Sequence, residues 1–299
     1  MAYRHNEWIF KESIEHEYYF DGNYGAKGER RSPKQTKTPE QVREENQKTK
    51  EKKVRRLIKQ NFEPGDYFTT LTFSDQYIGT PITEVCRILQ NFLERMRRVY
   101  KKTGVPFKYI YRVELGARKK RPHVHILMNR IDNLDKIVRQ KWERGHIQIE
   151  PMDKDPDSPG KLAEYITKPT KEQQIEADSL CDGDISKLIR YSCSRNLERP
   201  KPKTQVMKNR TMHSVFNQDL KPRDGYYIDK DPRFLTRGVN PYTGKSYLTY
   251  QEIRLHKPDI RPAPVRICEC PVCHQYKFDE LECTCQIRIR RKGGRRRYG

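Results

Sequence analysis

Apolar residues recur at regular intervals in only one part of this chain, residues 63–170, and this limits where a hydrophobic core can form. Of the 299 residues, 34% are hydrophobic and 34% are charged, which is poorer in apolar residues than most globular domains. We therefore predict one core-forming region flanked by long polar segments that bury little surface.

The pattern within this region alternates between the periods of strands and helices. Residues 67–73 are rich in aromatic and β-branched types and predict a strand, whereas residues 81–100 have apolar residues at three- and four-residue steps and predict a helix. Further elements are predicted at residues 107–115, 123–128, 131–142, 146–150 and 158–168. The order strand, helix, strand, strand, helix, strand, helix indicates an α+β fold, with an antiparallel sheet and helices packed on one of its faces.

The charge balance indicates a polyanionic partner. The chain has 62 Lys and Arg against 40 Asp and Glu, a formal net charge of +22, and an excess of this size is typical of nucleic-acid-binding proteins. No apolar run is long enough for a transmembrane helix, and the first residues lack the apolar segment of an export signal. We expect a cytoplasmic protein with no membrane partner.

Two histidines on one predicted strand give the strongest chemical signal. Side chains alternate along a strand, so His123 and His125 project from one face and Val124 and Ile126 from the other. Two imidazoles at this spacing can bind one divalent metal ion. The hydrophobic residues between and after them anchor the strand in a core.

A hairpin turn places an acidic residue opposite this pair. If the turn centres between Arg118 and Lys119, Glu114 faces His123 across the ladder and projects beside both histidines. Two histidines and a carboxylate leave coordination positions open for water or a phosphate oxygen. An ion pair between Glu114 and the basic loop is the alternative.

A tyrosine on the last predicted helix is the candidate nucleophile. Tyr165 and Lys168 are three residues apart and share a helix face. Because the ordinary pKa of a phenol is about 10, it needs a metal that polarises its target or a lysine that stabilises the phenolate. By itself, a tyrosine on a helix is usually a packing residue.

Together these segments resemble the three ordered motifs of HUH endonucleases. The matching stretches are residues 68–73, residues 114–116 leading to residues 121–125, and residues 165–168. More narrowly, they are similar to the rolling-circle replication initiators of plasmids and single-stranded DNA phages, in particular the branch with filamentous-phage replication proteins. The resemblance covers about residues 66–170 and implies a nuclease domain of that fold.

The resemblance implies a role for each matching residue. His123, His125 and Glu114 match the ligands of Mg²⁺ or Mn²⁺. Tyr165 matches the nucleophile that attacks single-stranded origin DNA, leaving a 5′-phosphotyrosyl link and a free 3′-hydroxyl, and Lys168 matches the lysine that commonly follows it. The implied partners are origin DNA, a host polymerase and a host helicase.

Further residues are expected to contact DNA. Thr70 and Thr72 match a strand near the DNA path. The turn is placed to hold the DNA backbone through four cations, Arg118, Lys119, Lys120 and Arg121. A single-strand DNA transposase of the same superfamily and a DNA-binding module without catalytic activity are the alternative functions.

Composition divides the chain into four segments. We expect a basic N-terminal arm and helix at 1–62, the nuclease domain at 63–200, an accessory segment at 201–265, and a cysteine-rich element with a basic tail at 266–299. The helix in the first segment begins after Thr38 and has few apolar residues, which predicts a solvated charged helix or a DNA-contacting arm.

The cysteine-rich element is predicted to bind a structural zinc ion. Four thiolates are available, from Cys270, Cys273, Cys283 and Cys285. Such clustering in a chain without an export signal favours metal over disulfides.

Overall fold

The chain divides into two compact units in the computed structural model, Met1–Ile253 and Arg254–Gly299. The structure describes residues 2–21, 37–115, 121–153, 155, 157–168, 191–208, 214–217, 219–241, 244–255, 267–269 and 276–278. No helix among them is long and apolar enough to cross a membrane.

The described elements of the first unit build two sheets, and a short strand pair lies in the second unit. The main helices are α1 (Pro39–Asn61), α2 (Ile82–Thr103), α3 (Leu134–Lys141) and α4 (Ser158–Thr167). The strands are β1 (Ala2–Ile9), β2 (Ser13–Phe20), β3 (Tyr67–Thr72), β4 (Tyr109–Leu115), β5 (Pro122–Met128), β6 (Ile147–Pro151), β7 (Tyr191–Cys193), β8 (Lys203–Lys208), β9 (Tyr226–Ile228), β10 (Thr236–Asn240), β11 (Lys245–Arg254), β12 (Ile267–Glu269) and β13 (Tyr276–Phe278). In the second unit, β12 and β13 pair antiparallel.

The first sheet, in the order β6-β3-β5-β4-β7, comes mostly from the region of periodic apolar residues. Its elements follow one another as β3, α2, β4, β5, α3, β6 and α4, which confirms the predicted order. All neighbouring strands are antiparallel, so the α+β class with an antiparallel sheet is confirmed. The edge strand β7 was not predicted.

Helices α2 and α3 cover one face of this sheet and form the larger core with it. Leu89, Phe92 and Met96 of α2 are fully buried in one cluster with Val124 and Ile126 of β5. Burying a side chain of this size contributes roughly 1.5–3 kcal/mol. This layer therefore holds β5 with its apolar side chains inward and fixes the opposite side chains outward.

Helices α1 and α4 pack on the opposite face, over only part of it. Val54 and Ile58 of α1 are fully buried in a cluster with Ile166 of α4 and Leu127 of β5. The sequence analysis placed helices on one face, and the structure adds this second layer. Beyond it, the ends of β3, β4 and β5 line an open cleft.

The predicted start of α1 is confirmed. The Thr38 hydroxyl accepts a hydrogen bond from the Gln41 backbone N–H, and the Gln41 side chain accepts one from the Thr38 N–H. The expectation of a solvated or DNA-contacting helix is wrong for its last two turns. The few apolar residues are concentrated there, at Val54, Leu57 and Ile58, and all three are buried.

The second sheet, in the order β10-β11-β2-β1-β8 with β9 beside β11, was not predicted. In β2 the apolar or aromatic residues Ile14, His16 and Tyr18 alternate with Glu15 and Glu17. This alternation has the period of a strand, but charged residues occupy one buried face, so apolar periodicity alone does not reveal it.

A buried charge cluster joins α1 to β2. The Glu15 carboxylate is 3% exposed and accepts hydrogen bonds from Arg55, Arg56 and Lys59 at 2.8–3.1 Å. Burial opposes ionisation of Glu15, but the three cations outweigh it and hold the pKa of this carboxyl well below its usual range. Helix α1 therefore packs on the first sheet and is bound to the second.

We predict that Glu15→Gln lowers the free energy of unfolding by about 3–5 kcal/mol, because three largely buried cations lose their counter-charge. Urea denaturation followed by circular dichroism measures the change. Glu84→Gln is the control, since Glu84 pairs with Arg87 on the surface of α2, where an ion pair contributes about 0–1 kcal/mol. Equal losses from the two substitutions would contradict the role assigned to Glu15.

Candidate active site

Three adjoining strands present polar side chains to the open cleft. In the ladder Thr70 of β3 pairs with His125 of β5, and Thr72 pairs with His123. On the other side of β5, Glu114 of β4 pairs with His123, which confirms the predicted hairpin register. Residues two apart on a strand share a face, so these five side chains lie on the face opposite the larger core.

The His125 ring is the centre of this group. Its Nε2 lies 3.3 Å from Glu114 Oε2, and its Nδ1 lies 3.0 Å from the Thr70 hydroxyl. The Tyr165 hydroxyl, from α4, lies 3.1 Å from the same Nε2. The structure therefore brings the predicted nucleophile together with two of the three predicted metal ligands.

His123 lies beside this group and has a separate partner. Its Nδ1 is 3.1 Å from the Thr72 hydroxyl. Burial lowers the pKa of the His123 imidazole, and the nearby His125 lowers it further. The neutral ring that results is the form that binds a metal ion.

Glu114 is charged and oriented towards the histidines. Burial opposes its ionisation, but the hydrogen bond with His125 and the positive charge of Arg112 lower the pKa of this carboxyl. One carboxylate and two imidazoles suit a divalent cation that accepts both oxygen and nitrogen ligands, as Mn²⁺ does. Their ligand atoms do not all lie within 4.8 Å of one another, a distance met among the described residues by His5, Glu7 and His16.

Arg112 connects the end of α4 to the sheet and was missed by the sequence analysis. Its side chain is 2% exposed, and Nη1 donates to the backbone carbonyls of Tyr165 at 2.9 Å and Lys168 at 2.5 Å. Its Nη2 lies 3.7 Å from Glu114 Oε1. A cation at the last carbonyls of a helix also meets the negative end of the helix dipole. The available signal was an arginine on the strand face of Glu114, two residues before it.

The Tyr165 side chain is accessible from the cleft. It is 47% exposed, and its ring packs edge-on against Phe68 and His125 at centroid distances of 5.7 and 4.8 Å. Burial of the phenol raises its pKa, the charge of Glu114 raises it further, and Arg112 opposes this. The phenol is therefore protonated at neutral pH and must lose its proton to act as a nucleophile.

Lys168 caps α4 and pairs away from the phenol. Its backbone N–H donates to the Glu164 carbonyl, and its Nζ lies 3.0 Å from the Glu164 carboxylate on the exposed side of the helix. Lys161, one turn before Tyr165, lines the cleft and pairs with Asp155 at 2.8 Å. The cleft has a volume of about 750 Å³.

Several predicted site residues lie outside the described residues: Arg118, Lys119, Lys120, Cys270, Cys273, Cys283 and Cys285. The remaining cation of the predicted DNA-binding turn, Arg121, is partly exposed and forms an ion pair with Asp75.

We predict that Glu114→Gln lowers the pKa of the Tyr165 phenol, because it removes the larger of two carboxylate charges that raise it. ¹³C NMR of Cζ-labelled tyrosine follows the titration, with the resonance assigned by its loss in Tyr165→Phe. Glu150→Gln is the matched control, since Glu150 has the smaller effect on this phenol. If the Tyr165 pKa stays the same in Glu114→Gln, the two groups are not electrostatically coupled.

Comparison with known proteins finds a similarity over the first sheet and its helices. Residues 66–170 match the family model of the replication-associated protein ORF2. Searches of curated proteins and of solved structures find no match. The matched residues include Thr70, Thr72, Glu114, both cleft histidines and Tyr165, so the similarity to replication-associated proteins covers the whole of the cleft described above.

Proposed function

We propose that this protein initiates rolling-circle replication by nicking and rejoining single-stranded origin DNA through Tyr165. The observation that carries the proposal is the phenol of Tyr165, half exposed and 3.1 Å from His125 Nε2, on the same face as Glu114 and His123. The match of residues 66–170 to a family of replication-associated proteins supports a role in replication. The HUH chemistry is inferred from the site.

The reaction exchanges one phosphodiester for another. The Tyr165 oxygen attacks phosphorus and loses its proton, the bond to the 3′-oxygen breaks, and that oxygen takes up a proton. A 5′-phosphotyrosyl link and a free 3′-hydroxyl result. Because the tyrosyl phosphodiester retains the energy of the broken bond, attack by a 3′-hydroxyl rejoins the strand without ATP.

A divalent cation, Mg²⁺ or Mn²⁺, held by Glu114, His123 and His125 would offset the carboxylate charge that raises the phenol pKa and would polarise the phosphate. The protein supplies orientation. Thr70 and Thr72 each contact the Nδ1 of one histidine, and hydrogen bonds of this kind fix the tautomer and ring position of metal-binding histidines.

The position of the nucleophile depends on the end of α4. The hydrogen bonds from Arg112 hold the carbonyls of Tyr165 and Lys168, so the tyrosine backbone is fixed against the strand that carries Glu114. Phosphoryl transfer depends mainly on such positioning and on charge neutralisation. Lys168, paired with Glu164, is proposed to contact the DNA or the phenolate after this pair opens.

The positive charge of the chain supports DNA as the partner. A net charge of +22 favours binding to phosphates and their counterion release. A free 3′-hydroxyl is the substrate of a polymerase, and strand displacement requires a helicase; we propose that both come from the host, in its cytoplasm.

Covalent capture tests the nucleophile. We predict that Tyr165→Phe abolishes the adduct between the protein and a labelled single-stranded origin oligonucleotide, because the attacking oxygen is gone, while DNA binding persists. Denaturing gels detect the adduct, and a mobility-shift assay measures binding. Tyr191→Phe, on the same face of the sheet, is the control and should form the adduct normally.

The result of this experiment separates the three functions. An adduct that survives Tyr165→Phe would refute the proposed nucleophile. No adduct from the unaltered protein on any fragment of its replicon would favour the DNA-binding module, and cleavage confined to the ends of a mobile element would favour the transposase.

Metal dependence tests the predicted ligands. We predict that His123→Ala and His125→Ala each lower Mn²⁺-dependent nicking by about 100-fold or more, since a bound metal ion contributes several kcal/mol to such a transition state. His146→Ala, at an exposed position, is the control and should retain the rate. Full activity of the unaltered protein in EDTA would contradict the metal assignment.

A further inference from the structure

A second set of metal-ligand side chains lies in the sheet that contains β1 and β2. His5 and Glu7 share one face of β1, and His16 on β2 lies directly opposite Glu7. One ligand atom from each residue lies within 4.8 Å of the other two. Within the part of the chain that the structure describes, no other three histidine, cysteine or acidic side chains meet this distance.

The distances between the ligand atoms suit a small divalent cation. His5 Nε2 and His16 Nδ1 are 2.9 Å apart, and His16 Nδ1 is 3.9 Å from Glu7 Oε1. Zinc bonds to nitrogen and oxygen of about 2.0–2.2 Å place the ligands of a tetrahedron roughly 3.3–3.5 Å apart. The two distances lie on either side of this value, so small rotations of the side chains complete the geometry.

His16 has a buried nitrogen that the protein leaves without a hydrogen bond. The residue is 2% exposed, and its Nε2 has no hydrogen-bond partner although Glu252 Oε1 lies 3.3 Å away. Glu252 is also 2% exposed. A metal ion on Nδ1 places the ring proton on Nε2, facing this carboxylate, and metal-binding histidines commonly donate their second N–H to such a group.

The two rings are held in place by aromatic neighbours. His5 stacks on Tyr18 with 4.0 Å between ring centroids, and His16 stacks on Tyr250 at 4.4 Å. Burial lowers the pKa of both imidazoles, that of His16 to about 3. Both rings are therefore neutral at pH 7 and oriented before any ion binds.

Arg223 is the cation that now offsets the acidic groups. Its guanidinium contacts Glu7 Oε1 and lies 3.9 Å from Glu252 Oε2. The arginine side chain is 47% exposed, so it can turn into solvent when a metal ion takes over the charge of Glu7. A guanidinium has only donors, so it neutralises the carboxylates without giving the buried His16 N–H an acceptor.

We propose that His5, Glu7 and His16 bind one zinc ion, with Glu252 orienting His16. Two imidazoles favour zinc over magnesium, and the fourth tetrahedral position is left to water. Because Glu252 belongs to β11, the ion ties three neighbouring strands of the second sheet together. This proposal does not depend on the proposed nickase activity, whose residues lie on the other sheet.

Zinc binding is measured on the full chain with its other predicted metal sites removed. This host protein carries Cys270→Ser, Cys273→Ser, Cys283→Ser, Cys285→Ser and His125→Ala. By calorimetry and elemental analysis we expect one zinc ion per chain. Glu7→Gln and His16→Gln should each weaken binding by about 100-fold, and Glu252→Gln by about 10-fold.

His146→Gln in the same host is the matched control and should leave zinc affinity unchanged, since this histidine is exposed on another part of the chain. Circular dichroism verifies the fold of each variant, and if His16→Gln does not fold, Glu7→Gln decides. Zinc should raise the melting temperature of the host but not that of Glu7→Gln. A host that binds no zinc at micromolar concentration, or a Glu7→Gln variant that binds it equally well, overturns the proposal.

Discussion

The register of three antiparallel strands controls everything that this protein presents to solvent at its cleft. In β3, β4 and β5 each side chain alternates between the core under α2 and the open face. A slip of one residue would bury His123, His125 and Glu114 and expose Val124 and Ile126. The fully buried side chains of the larger core therefore determine the site as much as the polar residues do.

The nucleophile reaches this face only because α4 is fixed at its carboxyl end. The apolar contact of Ile166 holds the helix on the sheet, and Arg112 fixes its final carbonyls. The same arginine is 3.7 Å from Glu114. One buried side chain thus couples the position of the tyrosine to the position of the acidic ligand.

The sequence predicted the elements from β3 to α4 because apolar residues there report burial directly. It also predicted the pairing of Glu114 with His123, since a short turn leaves few registers. It did not reveal β1 and β2, whose buried face carries Glu15 and Glu17 in place of apolar residues.

Other features of the site depend on contacts between distant segments, which spacing along the chain does not encode. The role of Arg112 is visible only once α4 lies on the sheet, because its acceptors are carbonyls 53 and 56 residues away. Lys168 was expected on the face of Tyr165, but a nearer carboxylate, that of Glu164, holds its ammonium group. Local electrostatics decided this orientation.

The second sheet has a consequence for synthesis of the protein on the ribosome. The hairpin of β1 and β2 emerges first, yet its outer neighbours β8 and β11 follow only after the whole of the first sheet. Until then both edges of the hairpin have unpaired backbone groups, which are open to association with other chains. Helix α1 is available much earlier, and its cations can cover the acidic face of β2 while the edges wait for their partners.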